Sequence, residues 1–291
     1  MKRTNWLAWT PLWFSLFGCV TAPDVDETSP PIWEAAYTST PPAIDGLIDA
    51  AWDSAQPFAV TVRKAMGAGA PKQVVLRALY DADRVYVLAQ WPDPTRSDMR
   101  DPYVWDPVRK VYDRPTEADD QFALQFPISG DFDINMLSTN DFVADVWHWK
   151  AGRGNPAGWI DDKRHLIGKS AGENAHVYEM GGHETIRIAR PMDSGERSYS
   201  IKPKPTAHIG DTVGSFEPKQ PSGSLADIRG KGTHDGSGWT LEISRKFDTG
   251  HSDDAVLDRG RDNVCAIAVL DNELYWHHRV SGRLLLRFAP R

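Results

Sequence analysis

Cysteine is nearly absent, with two in 291 residues, so neither a disulfide framework nor a thiolate metal cluster organises this chain. Cys265 lies in the apolar run Val264-Cys265-Ala266-Ile267-Ala268-Val269 and reads as a buried, inert thiol. Basic residues are also too few and too scattered for a nucleic-acid face. The net charge is −7, with no basic stripe and no zinc-finger spacing, which argues against a phosphate backbone as partner. No internal repeat, Ser-His-Asp set, phosphate loop or dinucleotide fingerprint occurs. Long apolar runs are confined to the first residues, and helical periodicity is weak throughout. Tryptophan, by contrast, is abundant at 12, and Gly and Pro (23 and 21) imply a loop-rich but folded chain.

The N-terminus has the form of a targeting segment. Met1-Lys2-Arg3 is followed by an apolar stretch ending Leu16-Phe17-Gly18-Cys19, which is too short to span a bilayer as a helix. The four residues Leu16 to Cys19 resemble a bacterial lipobox, with Phe17 larger than usual there. Residues 1–18 are therefore expected to be a lipoprotein signal peptide, with Cys19 the lipidated first residue, and Val20 resembles the outer-membrane sorting pattern. Localisation on the periplasmic side of a bacterial membrane follows, most simply the outer membrane. Residues 19–43, rich in Pro, Thr and Ser, read as a flexible tether.

The folded part is expected over residues 44–291. Strand signals recur: Phe58-Ala59-Val60-Thr61-Val62, Gln121 to Phe126 and Val143 to Trp149 alternate, Val74 to Tyr80 and Arg84 to Trp91 are β-rich, and further strands are expected near residues 239–245, 264–270 and 284–288. The turn Asp81-Ala82-Asp83 joins two of them as a hairpin. Residues of about 150–236 carry scattered Gly, Pro, Ser and His and read as a long loop-rich insertion. The fold class is an all-β antiparallel sandwich.

The stretch from Asp131 to Arg153 holds the most suggestive chemistry. Met136 sits among polar turn residues, where a thioether serves either ordinary packing or soft metal ligation, with histidine its common axial companion on haem iron. Trp147-His148-Trp149-Lys150 offers flat rings beside cationic groups, suited to a planar cofactor bearing propionates. His148 faces opposite to Trp147 and Trp149, so it serves either the core or a propionate, as do Lys150 and Arg153. Without a Cys-x-x-Cys-His motif, covalent c-type haem is excluded.

Several stretches together resemble the haem-binding gamma subunit of ethylbenzene dehydrogenase and its relatives in dimethylsulfide dehydrogenase, selenate reductase and chlorate reductase. They are Val75-Leu76-Arg77-Ala78-Leu79-Tyr80, Tyr86-Val87-Leu88-Ala89-Gln90-Trp91-Pro92-Asp93-Pro94-Thr95, Asp119-Asp120-Gln121-Phe122-Ala123-Leu124-Gln125-Phe126-Pro127, Val146-Trp147-His148-Trp149-Lys150-Ala151, Gly238-Trp239-Thr240-Leu241 and Arg245-Lys246-Phe247-Asp248-Thr249-Gly250. The resemblance implies a β-sandwich with one non-covalent haem b and two axial ligands. Met136 occupies the family's methionine position. The family's lysine is replaced within Tyr275-Trp276-His277-His278-Arg279-Val280-Ser281-Gly282. Arginine stays protonated and is a poor ligand, whereas neutral imidazole is a good one. His278 is the expected second ligand, with His277 its rival; strand alternation lets only one reach the iron. The implied role is electron transfer with a molybdenum-type oxidoreductase or periplasmic cytochrome, without catalysis of its own.

Ile44-Asp45-Gly46 followed by Ala51-Trp52-Asp53-Ser54-Ala55 also resembles family 9 carbohydrate-binding modules, which gives the alternative of a sugar-binding lipoprotein without haem. Asp131, Asp133 and Asn135 read as a solvated turn rather than a calcium loop, whose glycine and glutamate are missing. Asp119-Asp120, Asp161-Asp162 and Asp253-Asp254 read as strand ends and turns. His165, His176 and His183 read as exposed loop histidines.

Overall fold

The computed structural model describes residues 30–65, 69–173, 175–179, 185–273, 277–280 and 282–291. The expectations at Cys19, at the signal peptide and at Tyr275-Trp276 lie outside these residues.

Fourteen strands form one continuous sheet. In chain order they are β1 (Ile32–Tyr37), β2 (Phe58–Lys64), β3 (Lys72–Tyr80), β4 (Arg84–Pro92), β5 (Gln121–Gly130), β6 (Phe142–Lys150), β7 (Asp161–Ile167), β8 (His176–Glu179), β9 (Thr185–Ala189), β10 (Arg229–His234), β11 (Gly238–Lys246), β12 (Asn263–Leu270), β13 (His278–Arg279) and β14 (Leu284–Phe288). The spatial path runs β8-β9-β7-β6-β5-β12-β13-β2-β3-β4-β11-β10, with β1 and β14 beside it. The path folds back on itself as a sandwich. Trp91 of β4 stacks on Phe122 of β5 at 5.5 Å, and Trp149 of β6 meets Trp91 and Trp239 edge-on at 5.9 and 4.9 Å. These rings, all buried, join the two halves into one core.

Local sequence explains the regular strands. In the β3–β4 hairpin, Val75 to Tyr80 pair with Gln90 to Val85. Its turn is closed by Asp81, whose Oδ1 accepts from the Asp83 and Arg84 amides at 2.8 Å. In β5–β6 the ladder runs from Gln121 opposite Lys150 to Gly130 opposite Phe142, with a bulge between Pro127 and Ser129.

Two expectations are corrected. The expected tether of residues 19–43 is not all tether, because residues 32–37 form β1. It pairs in parallel with β14 (Trp33 opposite Leu286) and with β3 (Tyr37 opposite Tyr80). Trp33 and Ala35 are fully buried while Ile32 and Glu34 face out, a period-two pattern masked by flanking prolines. The loop-rich insertion also contains β7, paired along β6 from Phe142–Ile167 to His148–Asp161, and the β8–β9 hairpin. Its sequence Asp161-Asp162-Lys163-Arg164-His165 lacks apolar alternation, because both faces of this strand bury charge.

Candidate functional site

Register fixes which side chains share the outer face of the β5–β6–β12 half, the face turned away from the tryptophan core. His148 lies opposite Ala123 and Asp161, Ala123 opposite Ala268, and Ala268 opposite Arg279. One step along the strands, Val146 lies opposite Gln125 and Lys163, and Gln125 opposite Ala266. One further step pairs Ala144 with His165. Directly opposed residues project to the same side. The face therefore has a floor of small side chains, Ala123, Ala144, Ala266 and Ala268, with Ala123 and Ala268 partly open to solvent.

Along one margin of this floor stand His148, Lys163 and His165. Both ring nitrogens of His148 and Nδ1 of His165 are buried without a hydrogen-bond partner. Burial holds the His148 imidazole well below its ordinary pKa, reinforced by Lys163, Lys150 and Arg153. Lys163 is pushed well below the usual lysine range by burial and by Lys150. His165 is lowered by burial and then by Lys163, Arg190 and His277. Unpaired buried donors and acceptors are costly, about 1–3 kcal/mol each. At Lys163 the repulsion of Lys150, Arg190 and Arg153 is set against the attraction of Asp161, and the cationic excess suits the cluster to an anionic group.

The opposite margin carries Arg279 and, by strand alternation, His277, whose charge is felt at His165. His277 is tied to β2 through its carbonyl, which accepts from the Ala65 amide at 2.9 Å. His278 projects to the other side of the sheet. It lies opposite Val269 and Lys64, is 4% exposed, and its Nε2 is 3.0 Å from the Ala70 carbonyl oxygen. His278 and His148 thus do not share a face, whereas His277 and His148 do.

Met136 lies in the loop 131–141, which closes one end of the same face. Asp133 and Asn135 shape it by accepting from the Asn135 and Leu137 amides at 2.8 and 3.2 Å. Phe132 packs edge-on against Phe142 at 5.5 Å. Ile134, Met136 and Leu137 are half-buried against the main core. The loop's Asp133 carboxylate lies near enough to Arg279 to act on its pKa, which sets the methionine loop beside the His277–Arg279 margin.

Three sequence-selected residues have other engagements. Trp147 points into the sandwich core, donating from Nε1 to Asp145 at 3.3 Å, with Arg245 over its ring. Lys150 is ion-paired with Asp161, which also accepts from the Tyr199 hydroxyl at 2.8 Å. Arg153 grips Asp119 at 2.7 and 3.1 Å. Sequence reasoning missed Lys163 and read His165 as an exposed loop residue; it is a buried strand residue. The paired aspartates lie at strand starts and in a turn, as expected, but they are buried: Asp119, Asp120 and Asp162 fully, and Asp161, Asp253 and Asp254 nearly so. The signal lay in the alternation Asp161, Lys163, His165, which only pairing with β6 makes visible.

The sequence model of the family described as ethylbenzene dehydrogenase matches residues 49–280. Among curated proteins nothing matches. Solved structures with a similar fold include a family 9 carbohydrate-binding module from Caldicellulosiruptor kristjanssonii in complex with glucose. It is 10% identical with a TM-score of 0.41, over 89% of this chain and 96% of that one. Another is a protein from Bacteroides uniformis described as a candidate carbohydrate-binding protein. It is 10% identical with a TM-score of 0.44, over 90% of this chain and 100% of that one.

Proposed function

We propose, from the premise that this chain belongs to the ethylbenzene dehydrogenase family, that its alanine-floored face holds a b-type haem and that the protein transfers electrons. The observation that carries the reading is the His148 ring, whose two buried nitrogens have no partner. It stands beside Lys163 and His165, across a face of Ala123, Ala144, Ala266 and Ala268 with Val146 and Gln125 among them, from His277 and Arg279. A flat, carboxylate-bearing cofactor matches that floor and those cations. Met136 supplies the thioether and His277 the imidazole. His277 displaces His278 from the expected pair because it lies on the face that carries His148. Bound there, haem iron supplies a one-electron couple, and a sulfur–imidazole ligand pair favours its reduced form.

The protein's own contribution would be to hold the carboxylates of the cofactor with His148, Lys163 and His165, to cover it with Phe132, Phe142 and Leu137, and to offer the Met136 thioether and the His277 imidazole to its iron. We therefore read it as an electron carrier within or beside an oxidoreductase complex, not as the catalytic subunit. Lipidation at Cys19 would tether it to the periplasmic side of a bacterial membrane. Among the described residues no helix is long and apolar enough to cross a membrane.

Sugar binding requires exposed aromatic platforms. Among the described residues Trp33, Trp52, Trp91, Trp147, Trp149, Trp159 and Trp239 are buried and Trp105 is partly exposed, edge-on against Tyr112, which leaves that alternative one tryptophan as a platform. The test is the absorption spectrum of the purified protein reconstituted with haem, oxidised and dithionite-reduced. A stoichiometric low-spin haem, removable by acid–organic extraction, is expected. Failure to bind one haem per chain refutes the reading.

A further inference from the structure

We propose that the buried carboxylates of Asp145, Asp162 and Asp254 hold one calcium ion between the sheet and the loop that follows β11. Asp145 comes from β6, Asp162 from the neighbouring β7, and Asp254 from the loop. One oxygen from each lies within 4.8 Å of the others. Asp145 and Asp162 are fully buried, and Asp254 is 6% exposed.

The decisive observation is what these carboxylates do not bond. Both oxygens of Asp162, Oδ1 of Asp145 and Oδ1 of Asp254 are buried with no hydrogen-bond partner. The remaining oxygens are engaged. Asp145 Oδ2 accepts from the Ala255 amide at 3.0 Å and from Trp147 Nε1 at 3.3 Å, and Asp254 Oδ2 accepts from the Thr249 hydroxyl. The three converging residues thus carry four buried carboxylate oxygens without a partner.

Charge points the same way. Arg245 is fully buried and lies 3.2 Å from both Asp145 and Asp254. Three carboxylates and one guanidinium leave a net charge of −2, which one divalent cation cancels. The cost of burying uncompensated charge otherwise forces protonation. The donor set is all oxygen, without imidazole or thiolate, which selects a hard cation over zinc or copper. Magnesium keeps several waters and strict octahedral geometry, whereas calcium accepts irregular carboxylate cages.

A second buried group, Asp93, Asp120 and Asp271, differs. Asp120 accepts from the Ser97 amide, Trp239 Nε1 and the Asn272 amide at 2.8 to 3.0 Å. Asp271 is paired with Lys72 at 2.6 Å. Asp93 Oδ1 accepts from the Thr95 amide and hydroxyl, so that in this group a single carboxylate oxygen, Asp93 Oδ2, is buried without a partner, against four in the first.

The full-length protein, purified through calcium-containing buffer and exhaustively desalted, should retain about one calcium per chain by elemental analysis, counted separately from iron. EGTA should lower its melting temperature, and calcium but not magnesium should restore it. Asp162→Asn, nearly isosteric, should reduce bound calcium to none and abolish the EGTA effect; Asp254→Asn serves as a second variant should the first not fold. Wild-type protein with under a tenth of an equivalent of calcium and a melting temperature indifferent to EGTA overturns the proposal. So does full calcium retention in Asp162→Asn, or equal restoration by magnesium.

Discussion

Replacing His148 by leucine should make the haem-free protein more stable and the haem complex weaker, an opposition that few substitutions produce. In the apo state each buried, unpartnered ring nitrogen costs about 1–3 kcal/mol. The residue is only half-buried, and leucine brings no hydrogen-bonding need while matching imidazole roughly in size. A net gain of about 1–2 kcal/mol is expected. For a domain of this length that corresponds to a rise of about 2–8 °C in melting temperature.

The gain should grow on acidification. Burial lowers the folded-state pKa of His148, so below about pH 6.5 the unfolded chain takes up a proton that the folded chain refuses. Wild-type stability from this group is therefore present above that pH and lost as pH falls, and leucine removes the loss. In the holo state the same substitution deletes a hydrogen bond to a charged propionate, worth about 1.5–3 kcal/mol, so haem affinity should fall about 10- to 100-fold. Thermal unfolding of apo protein at pH 7 and pH 5, with haem titration followed by absorption, reads both effects. A destabilised apo variant with unchanged haem affinity would refute the reasoning.

Other outcomes follow from the same geometry. His277→Ala should abolish the low-spin spectrum. His278→Ala should leave haem bound but cost about 1–2 kcal/mol of stability by urea unfolding, through loss of the contact to Ala70; the reverse result would restore His278 as ligand. Met136→Ala should give five-coordinate or water-ligated iron, seen as a shift to high spin, and an unchanged spectrum would remove Met136 from the ligand pair. Asp120, pushed up to about 6 chiefly by burial, binds its proton more tightly folded than unfolded. Its contribution is thus present below the unfolded carboxylate pKa and lost as pH rises through about 6. The stability decrease between pH 4.5 and 7 should therefore be smaller in Asp120→Asn, and an equal decrease would argue against this carboxyl. Cys19→Ser should release the protein from the membrane fraction; an unmodified Cys19 in the intact mass of the wild type would end the lipoprotein reading.

The sandwich was legible wherever strands bury one face. The Val74–Tyr80, Arg84–Trp91 and Phe142–Lys150 runs are rich in β-branched and aromatic residues between turn signals, and the strands observed there begin and end within about two residues of those runs. β7 was not legible, because Asp162 and Arg164 face a buried ionic cluster while Lys163 and His165 face the alanine floor. Neither side carries the apolar signal that defines a strand. β1 was hidden by its proline-rich surroundings. Met136, His148 and the His277-His278 pair stood out as residue types, but which histidine faces His148 depends on the pairing of β13 with β12 and β2. That long-range register has no local trace. The convergence of Asp145, Asp162 and Asp254 is still less visible, since it joins positions up to 109 residues apart through the register of β6 with β7 and the course of a loop.

The parallel pairing of β1 with β14 has a kinetic consequence. The first strand of the sheet rests on the last, and its other neighbour, β3, meets only Ala35, Ala36 and Tyr37. Trp33 therefore stays without its Leu286 partner until nearly the whole chain is available. A polypeptide emerging from a ribosome or a translocation pore cannot close this sheet early, and it keeps a sticky edge until its final residues arrive. The same pairing also means that trimming a few residues from the C-terminus should block completion of the fold at its opposite end.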